Sequence, residues 1–201
     1  TGSKFTFGSQ TRDNAFWTMT SGVAFLSAYE VLTHWAYASG LVGRPDWASN
    51  PVVVLLMATL GVVFVSTAHF WANHRLIHCV PLYRRIHALH HRNPNPTPWT
   101  GISMNPLEHL VYFSGFLVFW VLPVHPLVIL MFVMYDGPGP APSHSGFARV
   151  RIGRWEVPAG DLFHQLHHRY FEVNYGNTQV PIDQWTGTWH DGTKATHERL
   201  K

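Results

Sequence analysis

One cysteine, Cys79, stands among 201 residues. A single thiol excludes an internal disulfide framework, a cysteine-based zinc ribbon and an iron–sulfur ligand set. Beside an apolar run it is expected to be a small buried hydrophobe. Charge is scarce too: Asp, Glu, Lys and Arg supply 12% of the chain, about half the share of an average soluble domain. There is no CxxCH haem attachment, no GxGxxG nucleotide fingerprint and no repeat of fixed period. The net charge is +3, but the basic residues form no patch interleaved with aromatics, so no nucleic-acid partner is expected. No basic-then-apolar signal segment precedes the first apolar run. With Thr1 at its head, the chain is expected to be a fragment or a processed product, with room for a missing upstream span.

Long apolar runs are what the chain does have: 46% of it is hydrophobic and 14% aromatic. The expected fold is all-α, one domain over residues 1–201, an integral membrane helical bundle of about four spans with a cytoplasmic, helical, His-rich metal cap. The spans are placed at about 15–39, 52–72, 109–122 and 126–137, each read against ~30 Å of hydrocarbon. The His-rich parts are 73–108 and 138–201. Glu30 and His34, four apart in the first span, are expected to meet as a satisfied interhelical hydrogen bond. Phe70 and Trp71 close the second span at a headgroup belt. Pro123 and Pro126 bracket His125, which reads as a turn residue between two short helices. Residues 1–14, 73–108 and 138–201 hold two, four and seven Lys plus Arg, against Arg44 alone in the opposite loop. By the positive-inside rule both ends and all the dense histidine clusters are cytoplasmic.

Fifteen histidines outnumber the fourteen lysines and arginines. His74 and His78 are four apart; His87, His90 and His91 fall at i, i+3 and i+4; His164, His167 and His168 repeat that triplet. On helices each set shares one face within reach of one metal ion. Imidazole suits zinc, copper, iron and nickel. Eight or nine such ligands imply two ions, or one ion and a surrounding layer of supporting histidines.

The order HxxxH, HxxHH and a second HxxHH resembles the fatty acid hydroxylase and sterol desaturase superfamily of integral-membrane di-iron oxygenases. "NHRLIHCVPLYRRIHALHH" is similar to the family's first two boxes, "NPLEH" (Asn105 to His109) to the stretch before the third span, and "SHSGF" (Ser143 to Phe147) to its intermediate box. "FHQLHHRYFEVNYGNTQVPIDQWTGTWHDGT" (Phe163 to Thr193) resembles the last box with its trailing Asn-Tyr-Gly and Asp-Gly-Thr elements. "HRYFEVNYG" and "HDGT" look most like the sterol C5-desaturase branch. The pattern is broken at Pro140 and Asn105, where the family often carries histidine. The resemblance implies His144 as a ninth metal ligand beside His74, His78, His87, His90, His91, His164, His167 and His168. Asp136, His69 or His109 could substitute at the broken positions. Pro138, Pro140 and Pro142 argue against a regular helix leading to His144. Asn174 and Tyr175 are candidates to accept the second N–H of a ligand imidazole.

The implied activity is O2-dependent desaturation or hydroxylation of a lipid C–H bond, on a sterol or sterol-like lipid, using two Fe ions, with Zn a possible replacement in purified material. Electrons would come from an external donor such as a cytochrome b5-like protein or a ferredoxin docking on the basic face. The membrane would be the endoplasmic reticulum in a eukaryote and the inner membrane in a bacterium. Two other readings are a fatty-acyl or sphingolipid hydroxylase and a His-rich membrane metal transporter. Transport sites lie near the bilayer midplane, where this chain offers only Glu30, His34 and the His125 turn. His190 and His197 come after the last cassette in a polar tail, and Trp185 and Trp189 read as interfacial anchors.

Overall fold

The structure is a computed structural model, and it describes residues 4–200. A long apolar helix, α3 (Pro51–Ile77), runs through a π turn at Met57–Gly61 and has 27 residues and a mean hydropathy of 2.3 in its most apolar window. It comes after α1 (Gln10–Trp17) and α2 (Val23–Ala38), which the π turn Thr18–Gly22 joins into one rod. Next come α4 (Pro106–Val121) and α5 (Pro126–Asp136), a hairpin of strands β1 (Arg149–Ile152) and β2 (Trp155–Pro158), and three further helices. Those are α6 (Asp161–Tyr170), α7 (Ile182–Thr186) and α8 (Lys194–Arg199).

Three of these helices start in the same way. A polar side chain stands just before a proline and accepts backbone N–H groups of the first turn, which have no intrahelical partner. Asn50 accepts from Val52 at 3.0 Å, Asn105 from Leu107 at 2.9 Å, and His125, through Nδ1, from Leu127 at 3.1 Å. His125 is thus the turn residue expected of it. Between the helices lies a core of Phe113, Phe116, Phe119, Val128, Ile129 and Phe132, closed by Ala36, Tyr37, Ala58 and Val62. Phe132 meets Phe116 and Phe119 edge-on at 5.0 Å.

At 1.5 Å per residue α3 is about 40 Å long, against about 30 Å of hydrocarbon. Only 28% of its most apolar window is buried, so it is not the core helix of a water-soluble domain. Among the described residues it is the one helix long and apolar enough to cross a membrane. Of the other expected spans, α4 with 16 residues and α5 with 11 reach about 24 and 16 Å. They are cut short by the Pro123–Pro126 turn.

Several expectations are corrected. The fold is mostly helical but not all-α: β1 and β2 pair antiparallel, Ile152 opposite Trp155, across a tight turn at Gly153, whose φ is +60°. The alternation in "RVRIGRWEV" is a strand pattern outvoted by its helical surroundings. His34 Nδ1 bonds the Glu30 backbone carbonyl of its own helix at 3.0 Å, not another helix. Cys79 is exposed, because α3 ends just before it and the chain swings outward there.

A Cβ on Gly139 would lie 1.8 Å from the Tyr135 carbonyl oxygen, whereas one on Gly43 meets nothing within 4 Å. Gly139→Ala should therefore lower stability by about 1–3 kcal/mol through overpacking. Thermal unfolding in detergent should show a lower midpoint for Gly139→Ala and none of that loss for Gly43→Ala; equal midpoints would refute the close approach.

Candidate metal centre

His74 sits in the last turn of α3 and His78 caps it. After Cys79 the short turn Val80–Leu82 leads into a π turn, Tyr83–His87, then a 3-10 turn, His90–Arg92. The expected regular helix through His87, His90 and His91 is thus replaced by a wide turn and then a tight one. Neighbours hold this geometry: Asn93 Nδ2 donates to the His90 carbonyl at 3.1 Å, and Asn14 Nδ2 donates to Asn93 Oδ1 at 3.1 Å. Arg92 pairs with the buried Asp13. Pro94 disfavours helix at Asn93 and ends the run. The second triplet behaves as its spacing predicts, with His164, His167 and His168 all on α6.

All nine sequence-selected histidines come together in two groups. His74, His78, His87, His91 and His167 form one; His90, His144, His164 and His168 form the other. Within each group the potential ligand atoms lie within 4.8 Å of one another. Eight of the nine side chains are buried, and His78 is partly so.

Ring orientation is set from behind. His74 Nδ1 donates to the Tyr175 carbonyl at 2.6 Å, His167 Nδ1 to that of Val173 at 2.6 Å, and His144 Nδ1 to that of Pro140 at 2.8 Å. His87 Nδ1 donates to Glu108 Oε1 at 2.6 Å. A backbone carbonyl can only accept, so His74, His167 and His144 carry their proton on Nδ1 and leave Nε2 as a bare lone pair. Yet Nε2 of His74 lies 3.0 Å from Nε2 of His87. His91 Nε2 lies 3.2 Å from that of His78 and 3.0 Å from that of His167, and His168 and His164 face each other at 3.0 Å. His144 Nε2 is buried without a partner. Each such pair is joined either by one proton shared between the two nitrogens or by a cation between them. An extra proton is the costly alternative: burial, and then the neighbouring imidazoles, hold His87, His91, His164 and His168 well below 6.5. The same causes push His78 down to about 2, and burial takes His144 to about 4. Neutral imidazoles whose nitrogens converge are what a transition-metal ion requires.

A cavity of about 420 Å³ opens onto both groups, touching His74 and His87 of one and His90, His144 and His164 of the other. Its remaining wall mixes apolar residues such as Phe70, Met104 and Val111 with Ser66, Asn73 and Asp136.

The other six histidines stand outside the groups. His69 bonds Ser114 Oγ at 3.0 Å, and His109 Nε2 donates to the Ile102 carbonyl at 3.0 Å while stacking on Phe113. Asp136 pairs with Ser66. The suggested stand-ins His69, His109 and Asp136 therefore have other partners. At the broken position Pro140 contributes its carbonyl, which orients His144 through a single helical turn, Pro140–Ser143. His190 is buried against Tyr170 at 4.8 Å, and His197 stacks on the same ring at 4.7 Å. Trp185 is exposed, but Trp189 packs on Phe163.

Tyr175 does accept from a clustered histidine, through its backbone and not its phenol. Asn174 acts one step further out, bonding the Phe163 and His190 carbonyls at 3.0 Å. Sequence reasoning passed over Glu108 and Asp183. Glu108 sits in the first turn of α4, where the Asn105–Pro106 cap signalled a helix start with an acidic first turn. Asp183 accepts from the backbone N–H groups of Tyr175 at 2.9 Å and Gly176 at 2.8 Å, and so fixes the carbonyl that holds His74. No spacing pattern marks it.

Among known proteins, the fatty acid hydroxylase family model matches residues 59–188. The chain is 28% identical over 133 residues to a Delta(7)-sterol 5(6)-desaturase of Gibberella zeae, covering 66% of this chain and 36% of that protein. It is 24% identical to a Delta(7)-sterol-C5(6)-desaturase of Nicotiana tabacum, covering 87% and 63%. It is 32% identical to a methylsterol monooxygenase of Aspergillus fumigatus, covering 69% and 49%. The chain thus spans between about a third and two thirds of these relatives' length. No solved structure matches it.

Because these histidines are held below 6.5 when folded and return to about 6.5 when unfolded, the unfolded chain binds more protons between those values. Stability of the metal-free protein must then fall as pH drops below about 6.5. Thermal midpoints of chelator-treated protein in detergent at pH 7.5 and 5.5 should show the lower value at 5.5; an unchanged or higher midpoint would contradict the buried, neutral imidazoles.

Proposed function

The chain belongs to the fatty acid hydroxylase family, and on that premise we propose that it is a membrane-bound, non-haem di-iron oxidoreductase acting on a sterol or sterol-like lipid. The observation that carries this reading is the pair of buried histidine groups whose ring nitrogens converge, beside a cavity that reaches both. One ion is assigned to His74, His78, His87, His91 and His167, the other to His90, His144, His164 and His168. The chain is treated as a single oxygenase domain. Its four apolar helical segments are embedded in the membrane and its histidine-bearing turns lie on the cytoplasmic side, where most of the Lys and Arg fall.

When bound, a pair of irons supplies dioxygen reduction and hydrogen abstraction from an unactivated C–H bond. The protein's own contribution is positional. The carbonyls of Tyr175, Val173 and Pro140 keep Nδ1 protonated and Nε2 free, so the imidazoles need no rearrangement to bind metal. Glu108 hydrogen-bonds Nδ1 of His87 and so fixes the orientation of that ring. Phe70, Met104 and Val111 line the cavity with apolar surface and limit water beside the reacting carbon. The length of α3, with His74 in its last turn, supports a site at the membrane boundary, where a lipid can reach it without crossing bulk water. Electrons are assigned to an external cytochrome b5-like protein or ferredoxin. A sterol substrate is favoured over an acyl chain by the sterol enzymes among the relatives.

Expression in a host with a defined sterol pool, and then lipid analysis, should reveal a sterol carrying a new double bond or hydroxyl. A new hydroxy fatty acid with unchanged sterols would move the assignment to acyl or sphingolipid hydroxylation. His87→Ala and His167→Ala should each abolish turnover; full activity in either would remove that residue from the centre. Glu108→Gln should weaken metal affinity by roughly 10- to 100-fold, measurable by chelator competition.

A further inference from the structure

The β1–β2 hairpin is the one sheet among the described residues, and it takes no part in holding the histidines. Its register pairs Val150 with Val157 and Ile152 with Trp155. Side chains alternate along a strand, so these four apolar residues share one face. Arg149, Arg151 and Glu156 occupy the other, and Arg154 stands at the turn. The apolar face is not covered by protein: Val150 is 42% exposed, Ile152 64%, Trp155 65% and Val157 46%. Phe147, just before β1, and Leu162, just after β2, are exposed as well. Val150, Ile152 and Val157 also line the cavity that reaches the histidine groups. The face that lacks a partner is therefore the rim of that cavity.

We propose that this hairpin is seated in the headgroup layer of an anionic bilayer, its apolar face turned to the hydrocarbon, forming one side of a lateral doorway to the cavity. Three observations select lipid as the occupant. The uncovered apolar patch carries an aromatic residue of the kind that settles at membrane interfaces. The opposite face and turn hold three arginines against one glutamate, a surplus of positive charge matched to lipid phosphates and anionic headgroups. The patch is also continuous with a mostly apolar cavity, so a lipid tail can pass from bilayer to site along apolar surface. A cytoplasmic protein partner would explain the arginines but leave the apolar rim in water.

The lipid-oxidising reading supplies only the identity of the molecule that uses the doorway. Depth in the bilayer is measured without turnover, so the two readings can fail separately: a water-exposed hairpin on an active enzyme defeats this inference alone. A membrane-seated hairpin on an enzyme that oxidises no lipid defeats only the other.

Cys79 is the sole cysteine and is exposed, so a Cys79→Ser background gives single-site labelling. Nitroxides would be attached at Ile152→Cys, Val157→Cys and Arg151→Cys of the full chain, in vesicles of phosphatidylcholine with phosphatidylserine. Collision with oxygen, which concentrates in hydrocarbon, would be compared with collision with a water-soluble nickel chelate. The expected result is oxygen-dominated accessibility at 152 and 157 and nickel-dominated accessibility at 151. Nickel-dominated accessibility at all three sites overturns the proposal, as does dipolar broadening at 152, which would make a second copy the occupant. Ile152→Asp tests the doorway without a label: it should raise KM for lipid presented in vesicles by at least about threefold with kcat retained. An unchanged KM would count against it.

Discussion

Everything in this structure turns on imidazole nitrogens held about 3 Å apart in a dry place. Burial opposes a second proton on these rings, and they stay converged only if they are fixed from behind. The fixing is visible in four Nδ1 contacts, three to backbone carbonyls and one to Glu108. Much irregular backbone serves that end. Phe171 at φ +66° turns the chain sharply off α6, so that Val173 returns its carbonyl to His167, and Asn174 at φ +54° continues the bend. Left-handed backbone is uncommon at residues other than glycine, and for a bulky Phe it is a strained choice. Here Phe171 also stacks on His91 at 4.7 Å.

A second constraint is depth. The proposed lipid oxidation asks for a site dry enough to spare reactive chemistry from water, yet near enough to the surface to take electrons from a donor. His74 and His78 stand at the end of the long apolar α3, which suits both demands. Chain far downstream then closes over them, with α6 contributing three imidazoles and Asp183 pinning the segment that holds His74.

How much of this could be read in advance depended on whether the feature was periodic. His164, His167 and His168 keep to the helical repeat and occupy a helix as their spacing implies. The apolar runs announced helices, and His125 between two prolines announced a turn. What escaped was set by tertiary contact. The tight turn that delivers His90 and His91 depends on neighbours such as Asp13 and Asn14, some eighty residues from their partners. Backbone carbonyls leave no trace in a sequence, so the acceptors from Pro140, Val173 and Tyr175 could not be foreseen. Pro140 looked like a lost ligand and proves to be the residue that orients one. The hairpin was hidden because its four-residue strands lie inside a chain whose pattern is otherwise helical.

Converging neutral imidazoles of this kind are suited to hold cations where they meet. The most direct test is the metal content of the full-length protein, purified from cells grown with iron and measured by elemental mass spectrometry against protein concentration. Two tightly held ions per chain, retained through dialysis, are predicted. A protein that is folded and lipid-competent yet holds no metal, or holds only weakly exchanging ions, would contradict it.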